Sequence, residues 1–299
     1  MAHNHTPRAG NRTEARRLVL VLALTAVYAV AEVVGGLLSN SLALLADAGH
    51  MLTDIMALSL ALLANWTARR PPDAARTYGY QRIEILAALL NGIALIVIAV
   101  FIVLEAIERF AAPPEVDFRL MALVAFGGLI INVAAAALLR RHQHSLNLRA
   151  AYLHILGDLL GSIAALVTAA LIGLYGWSWA DPVTSALISL IIVYSAVHLV
   201  FESVNVLLEG APAGIRPAEV QTFLEQLPGV TGVHDLHIWS LGGRTPLLSV
   251  HLVHDPEVRA SELLRSATGA LRERFNITHA TLQVEPPDFN IISKIGEKK

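Results

Sequence analysis

Residues 83–108 read IEILAALLNGIALIVIAVFIVLEAIE, a run with no charged side chain between Glu84 and Glu105. A helix of roughly 20 mostly apolar residues crosses the hydrocarbon core of a membrane. Five more runs of comparable length and character occur along the chain, at 18–38, 41–66, 119–139, 147–176 and 182–207. The sequence therefore predicts six transmembrane helices.

The composition supports a membrane protein and excludes several other classes. Of the 299 residues 55% are hydrophobic and only 15% are charged, against about 25% charged in typical soluble domains. The net charge of −2 argues against a basic nucleic-acid-binding protein, so no nucleic-acid partner is expected. With 12 histidines and no cysteine, any metal site must use nitrogen and oxygen ligands.

The charges divide the chain into two parts. Residues 18–210 hold 22 charged residues in 193, whereas residues 211–299 hold 19 in 89. We predict an N-terminal segment, a membrane domain, a hinge, a cytoplasmic domain and a tail, at 1–17, 18–208, 209–214, 215–290 and 291–299. The cytoplasmic part shows the order α-β-β-α-β, which predicts a small ferredoxin-like or metallochaperone-like α/β domain. Its elements are expected at 217–227, 232–241, 247–254, 261–275 and 281–285.

The distribution of arginine in the short loops predicts the orientation, because cytoplasmic loops carry an excess of Lys and Arg. Arginine clusters precede the first run and follow the second and fourth runs, whereas the opposite face has only Arg109 and Arg119. Both termini are therefore expected in the cytoplasm. The compact loops and the preference for arginine over lysine favour the inner (cytoplasmic) membrane of a bacterium.

Two of the predicted spans repeat one polar pattern. His50 and Asp54 are four residues apart in the second run, and His154 and Asp158 are four apart in the fifth. Residues with this spacing share a helix face, and ionisable groups within a membrane are usually functional. Two imidazoles and two carboxylates can form a closed tetrahedral Zn²⁺ site. Interhelical hydrogen bonds that hold the bundle together are the alternative.

These pairs lie in longer motifs that resemble the cation diffusion facilitator family. The motifs are SLALLADAGHMLTD (41–54), RTYGYQRIE (76–84), LHILGDLLGS (153–162), LLEG (207–210) and VHDLHIW (233–239). The resemblance covers nearly the whole chain and is strongest to the zinc-preferring branch, which includes cobalt–zinc–cadmium resistance proteins. It implies a homodimer in the lipid bilayer that exports Zn²⁺ in exchange for protons. It also implies that His50, Asp54, His154 and Asp158 form the transport site.

The resemblance implies further roles outside that site. His234, His251 and Glu285 correspond to a regulatory zinc site in the cytoplasmic domain. Gln283 and Glu285 stand where some members have a His-x-Asp pair, so we expect one metal ion there. Arg82 and Glu209 are expected to form a salt bridge near the hinge, the alternative being two separate exposed charges.

Further expectations concern Asp47, the loop 67–81 and the class of function. Asp47, one turn from His50, is either a proton or ion relay or a carboxylate that packs between helices. The loop 67–81 contains Asp73 but no histidine, so a metal site is not expected there. A closed four-ligand site with no neighbouring general base favours a transporter without an organic cofactor. An intramembrane zinc enzyme, a metal sensor, and an exporter mainly of Co²⁺ or Cd²⁺ remain as alternatives.

Overall fold

The computed structural model describes residues 10–53, 55, 73–140, 146–242 and 245–287. Within them, six apolar helices come first: α1 Gly10–Ser39, α2 Leu42–Thr53, α3 Arg82–Ala111, α4 Phe118–Arg140, α5 Leu146–Tyr175 and α6 Ala180–Leu207. Four of these, α3 to α6, contain segments long and apolar enough to cross a membrane, while Ala23–Ser39 of α1 and the described part of α2 are shorter apolar helices. The predicted fold class is confirmed.

The chain packs as two compact units, of which the first comprises residues 1–60 and 90–200. Its helices meet through small side chains, which allow close approach where no hydrophobic effect drives association. Ala125, Ala165 and Ala169 of α4 and α5 lie in one buried cluster with Leu44 of α2. Large apolar side chains such as Phe101 and Tyr194 point outward and are mostly exposed, as lipid-facing residues are.

The second unit comprises residues 61–89 and 201–299 and contains a small α/β domain. Its elements are α7 Pro217–Glu225, β1 Val230–Ser240, β2 Pro246–His254, α8 Ala260–Phe275 and β3 His279–Glu285. This is the predicted α-β-β-α-β order. Strands β1 and β3 begin two residues earlier than expected from the sequence.

The sheet has the order β1-β2-β3, with β1 antiparallel and β3 parallel to β2. A parallel pair needs a crossover connection, which α8 provides. Leu263, Ala267 and Leu271 recur every four residues on α8 and are buried, so this amphipathic face forms the core with α7 and the strands. The opposite face of the sheet is left for polar side chains.

Candidate metal centres

The candidate metal site of the membrane domain combines residues of α2 and α5. The side chains of His50 and Asp158 are described, whereas Asp54 and the side chain of His154 lie outside the described residues. Asp158 is 3% exposed, and both of its carboxylate oxygens and Nδ1 of His50 are shielded from solvent. One candidate ligand from each helix therefore projects into a buried environment.

A glycine permits the close approach of α2 and α5. A Cβ atom at Gly161 would lie 2.7 Å from Oδ1 of Asp47, so any side chain on this face would collide with that carboxylate. Gly161 is three residues beyond Asp158, and Asp47 is three residues before His50. The segments that carry the candidate ligands are thus neighbours in space.

Further polar groups are buried near the point where α2 approaches α5. The Tyr28 hydroxyl donates a hydrogen bond to Oε1 of Glu32 (2.5 Å), and Nδ2 of Asn132 donates to Oγ of Ser162 (3.2 Å). Glu32 and Asp47 are 0% and 4% exposed, and both lie near enough to Asp158 for electrostatic interaction. Three buried carboxyl groups cannot all be ionised at low cost, so this region suits a bound cation or protons.

The cytoplasmic candidate is formed by all three strands. His234 of β1 lies directly opposite His251 of β2, and their ring centroids are 5.0 Å apart. Glu285 of β3 is paired with Val253, so it lies diagonal to His251. Its side chain is 3% exposed, with Oε2 located 3.1 Å from Nε2 of His234 and Oε1 located 2.8 Å from Nδ1 of His251.

This cluster has the chemistry and dimensions of a metal site. Its three ligand atoms lie within 4.8 Å of one another, against a separation of about 3.4 Å when donors surround Zn²⁺ tetrahedrally at 2.0–2.1 Å. The nearly buried carboxylate of Glu285 is costly without a cationic partner, which a divalent ion would supply.

Two neighbouring side chains surround the cluster. Nε2 of Gln283 donates to Oε1 of Glu285 at 2.7 Å, which orients the carboxylate. Asp235, which the sequence analysis missed, places Oδ2 3.6 Å from Nε2 of His251. It follows His234 directly, so strict strand alternation would put it on the opposite face. A register irregularity between His234 and His237, with φ of 52° at Asp235, turns it toward the cluster.

Arg82 and Glu209 lie together, with Nη2 of Arg82 located 2.8 Å from Oε1 of Glu209. Both side chains are substantially exposed, at 37% and 64%, so the free energy of the ion pair is at most about 1 kcal/mol. The pair therefore links the start of α3 to the end of α6 and contributes little to stability.

The carboxylate of Asp73 accepts hydrogen bonds within its own loop. It accepts hydrogen bonds from the backbone N–H groups of Ala75 (2.9 Å) and Arg76 (2.7 Å) and from the Tyr80 hydroxyl (2.7 Å). The bond from Tyr80, followed by that from the Arg76 backbone, lowers the pKa of Asp73 below its ordinary value. This carboxylate is therefore engaged in turn formation.

Two family descriptions match consecutive parts of the chain. The family description "Cation efflux transmembrane domain" matches residues 18–208, and "Cation efflux protein, cytoplasmic domain" matches residues 212–287. The zinc transporter ZitB of Escherichia coli is 45% identical over 291 residues, which cover 95% of this chain and 93% of that protein.

Two other relatives carry broader names. A cadmium, cobalt and zinc/H(+)-K(+) antiporter of Bacillus velezensis is 40% identical over 97% of this chain and 94% of its own length. The metal cation efflux system protein CzcD of Cupriavidus metallidurans is 43% identical over 95% of this chain and 89% of its own length. The chain therefore belongs to the cation efflux family, and it is a membrane transporter for the efflux of divalent metal cations, not an enzyme.

Proposed function

We propose that this transporter exports Zn²⁺ from the cytoplasm in exchange for protons, through a site formed by His50, Asp54, His154 and Asp158. The main supporting observation is the buried approach of α2 to α5 at Asp47 and Gly161, one helical turn from both His50 and Asp158. The names of the ZitB and Bacillus relatives support zinc as cargo and protons as the counter-ion.

The ligand chemistry couples the ion to protons. Imidazole binds a metal only in its neutral form and carboxylate only in its ionised form, so Zn²⁺ and protons compete for the same groups. Protons arriving from the outer side would displace the metal outward. Asp47 and Glu32, buried beside Asp158, provide a place for such protons or a waypoint for the ion.

The cytoplasmic domain is proposed to sense the metal. A Zn²⁺ ion bound by His234, His251 and Glu285 would join all three strands at one point. Asp235 would lie beside His251 at this site. We propose that the protein is a homodimer, that this domain stabilises the dimer, and that residues 209–214 act as the hinge beside the Arg82–Glu209 pair. The proposed orientation places both termini in the cytoplasm of a bacterial cell, with the six helices in its inner membrane.

The test is ⁶⁵Zn²⁺ uptake into everted membrane vesicles, measured with and without an imposed pH gradient. The expected result is uptake that is accelerated by an acidic lumen, with a protonophore removing this acceleration. Zinc uptake that is indifferent to the gradient would exclude proton exchange. No zinc uptake in vesicles that contain the folded protein would exclude zinc as cargo.

A second candidate is an exporter whose main ion is Co²⁺ or Cd²⁺. The name of the Bacillus velezensis relative favours it, and a His₂Asp₂ ligand set accepts these ions as well, because affinity follows the metal as much as the site. Competition of each ion with ⁶⁵Zn²⁺ in the same vesicles separates the two. The ion that inhibits uptake at the lowest concentration is the preferred cargo.

A further inference from the structure

The first turn of α2 is held by a carboxylate from another helix. Asp181, in the first turn of α6, accepts hydrogen bonds from the Ser41 hydroxyl (2.6 Å) and from the backbone N–H groups of Leu42 (2.8 Å) and Ala43 (3.2 Å). Asp181 is fully buried. The N–H groups of a first helical turn have no partner inside their own helix, so this side chain satisfies α2 from outside.

The hydrogen bonds to Asp181 stabilise the first turn of α2. A buried carboxylate is stable only when its charge is matched by donors, and here three donors and the positive end of a helix face it. Ser41 Oγ in turn accepts from the N–H group of Leu44 at 3.3 Å, which links the two parts of the cap. Removal of the charge would leave buried N–H groups poorly satisfied.

Other elements hold the same end of α2. Nη1 of Arg109, in the last turn of α3, donates to the carbonyl oxygen of Asn40 at 2.8 Å, and Nδ2 of Asn40 donates to the carbonyl oxygen of Glu115 at 3.3 Å. Leu42 and Ala46 pack in one buried cluster with Ile102 and Ala106 of α3, against partly buried residues of α6. The start of α2 is therefore fixed to α3, to the loop after it, and to α6.

We propose that Asp181 is a positioning residue for transport, because it holds α2 at the angle that places His50 in the proposed metal site. This inference rests on the transport site proposed above. His50 is eight residues from Leu42, or about 12 Å along the helix. A tilt of about 10° at the anchored end would move His50 by about 2 Å, whereas metal–ligand distances tolerate only about 0.2 Å.

The first test compares Asp181→Asn with Asp117→Asn. Asp117 also caps a helix, since its Oδ1 accepts from the N–H groups of Arg119 (3.0 Å) and Leu120 (3.1 Å), but these belong to its own helix α4 and the side chain is exposed. We expect Asp181→Asn to raise the KM for ⁶⁵Zn²⁺ in proteoliposomes about tenfold and Asp117→Asn to change it less than twofold. Partial misfolding would lower the maximal rate and leave KM unchanged.

The second test uses the absence of cysteine from the chain. In the double variant Ser41→Cys/Asp181→Cys, a disulfide would replace the hydrogen bond, and thiol alkylation reports its formation. We expect the reduced form to show the raised KM and the oxidised form to recover it to within about threefold of the wild-type value.

The outcomes separate this inference from the proposed site. An unchanged KM for Asp181→Asn, no disulfide under oxidant, or an oxidised form with the raised KM would each overturn the positioning role. Retained transport by His50→Ala would instead refute the proposed site, and it would leave the attachment of α2 to α6, seen in disulfide formation, intact.

Discussion

The two candidate metal sites are built on different principles. The proposed membrane site takes a His and an Asp, four residues apart in the sequence, from each of two segments, so two segments would suffice for four ligands. In the cytoplasmic domain His234, His251 and Glu285 come from three strands, and their meeting depends on the register of both strand pairs. The membrane site would therefore form from two helices that can move apart, whereas the sheet holds the cytoplasmic ligands together.

This difference suggests different tasks. A site shared between two helices can lose one half of its ligands when the helices separate, which suits an ion that must be released. A site across a hydrogen-bonded sheet keeps its geometry, which suits a metal that reports its concentration.

The largest effect is expected for Asp158→Asn. Loss of a charged ligand from a closed site should lower ⁶⁵Zn²⁺ transport in everted vesicles by about 100-fold or more, beyond the 10- to 100-fold typical of residues that only support ligands. Asp117→Asn, which removes an exposed carboxylate near the start of α4, is the matched control and should transport normally. Undiminished transport by Asp158→Asn would show that Asp158 is not a ligand of the transport site.

A smaller loss is expected for Gly161→Ala. The added methyl group would lie against the Asp47 carboxylate, so α2 and α5 must separate or Asp47 must move. Overpacking of this kind costs about 1–3 kcal/mol, and we expect a lower melting temperature in detergent with about tenfold slower transport. Gly127→Ala on α4, where no described atom lies within 4 Å of the added carbon, is the control. Equal behaviour of the two variants would contradict the close approach.

The cytoplasmic site should affect binding more than transport. In full-length protein that also carries Asp158→Asn, we expect Glu285→Gln, which removes a charged ligand, to weaken Zn²⁺ binding in calorimetry by about 100-fold or more, beyond the 10- to 100-fold typical of residues that only support ligands. On its own, Glu285→Gln should leave maximal transport within about threefold of wild type. His279→Ala, on the same strand but outside the cluster, should leave binding unchanged. A full loss of transport in Glu285→Gln would show that the two sites do not have separate tasks.

The smallest effect concerns Asp73 and serves as a pH control. Because its folded pKa is lowered, chiefly by the bond from Tyr80, the stability it adds is complete above its unfolded pKa of about 3.9 and is lost as the pH falls through the folded value. We expect Tyr80→Phe to raise the pKa of Asp73 toward its ordinary value, measured by NMR titration of its side-chain carbon. Any pH dependence of transport between pH 5 and 8 must then come from other groups.

The sequence predicted the parts of the molecule that follow from local pattern. Six apolar helices and the α-β-β-α-β order came from length and periodicity, and the His–Asp pairs from helical spacing. The meeting of His234, His251 and Glu285 could not be derived that way, since strand register is set by the turn and the crossover helix; the family resemblance supplied it.

The contacts of two residues could not be predicted from the sequence. Asp235 joins the cytoplasmic cluster only because the strand irregularity breaks the alternation that pattern reasoning assumes. Asp181 was visible only as a residue between two spans, with its partner Ser41 140 positions earlier. Contacts at such separation depend on how the helices pack, and no local pattern encodes that.

The same separation has a consequence for biosynthesis. The cap of α2 is completed only when α6 has been made, and at 5–20 residues per second the ribosome needs about 7–28 s to cover the 140 residues between Ser41 and Asp181. Until then the first turn of α2 must take its hydrogen bonds from water or lipid headgroups, because hydrocarbon offers none. The first turn of the second helix to be synthesised is thus completed only after the sixth has been made.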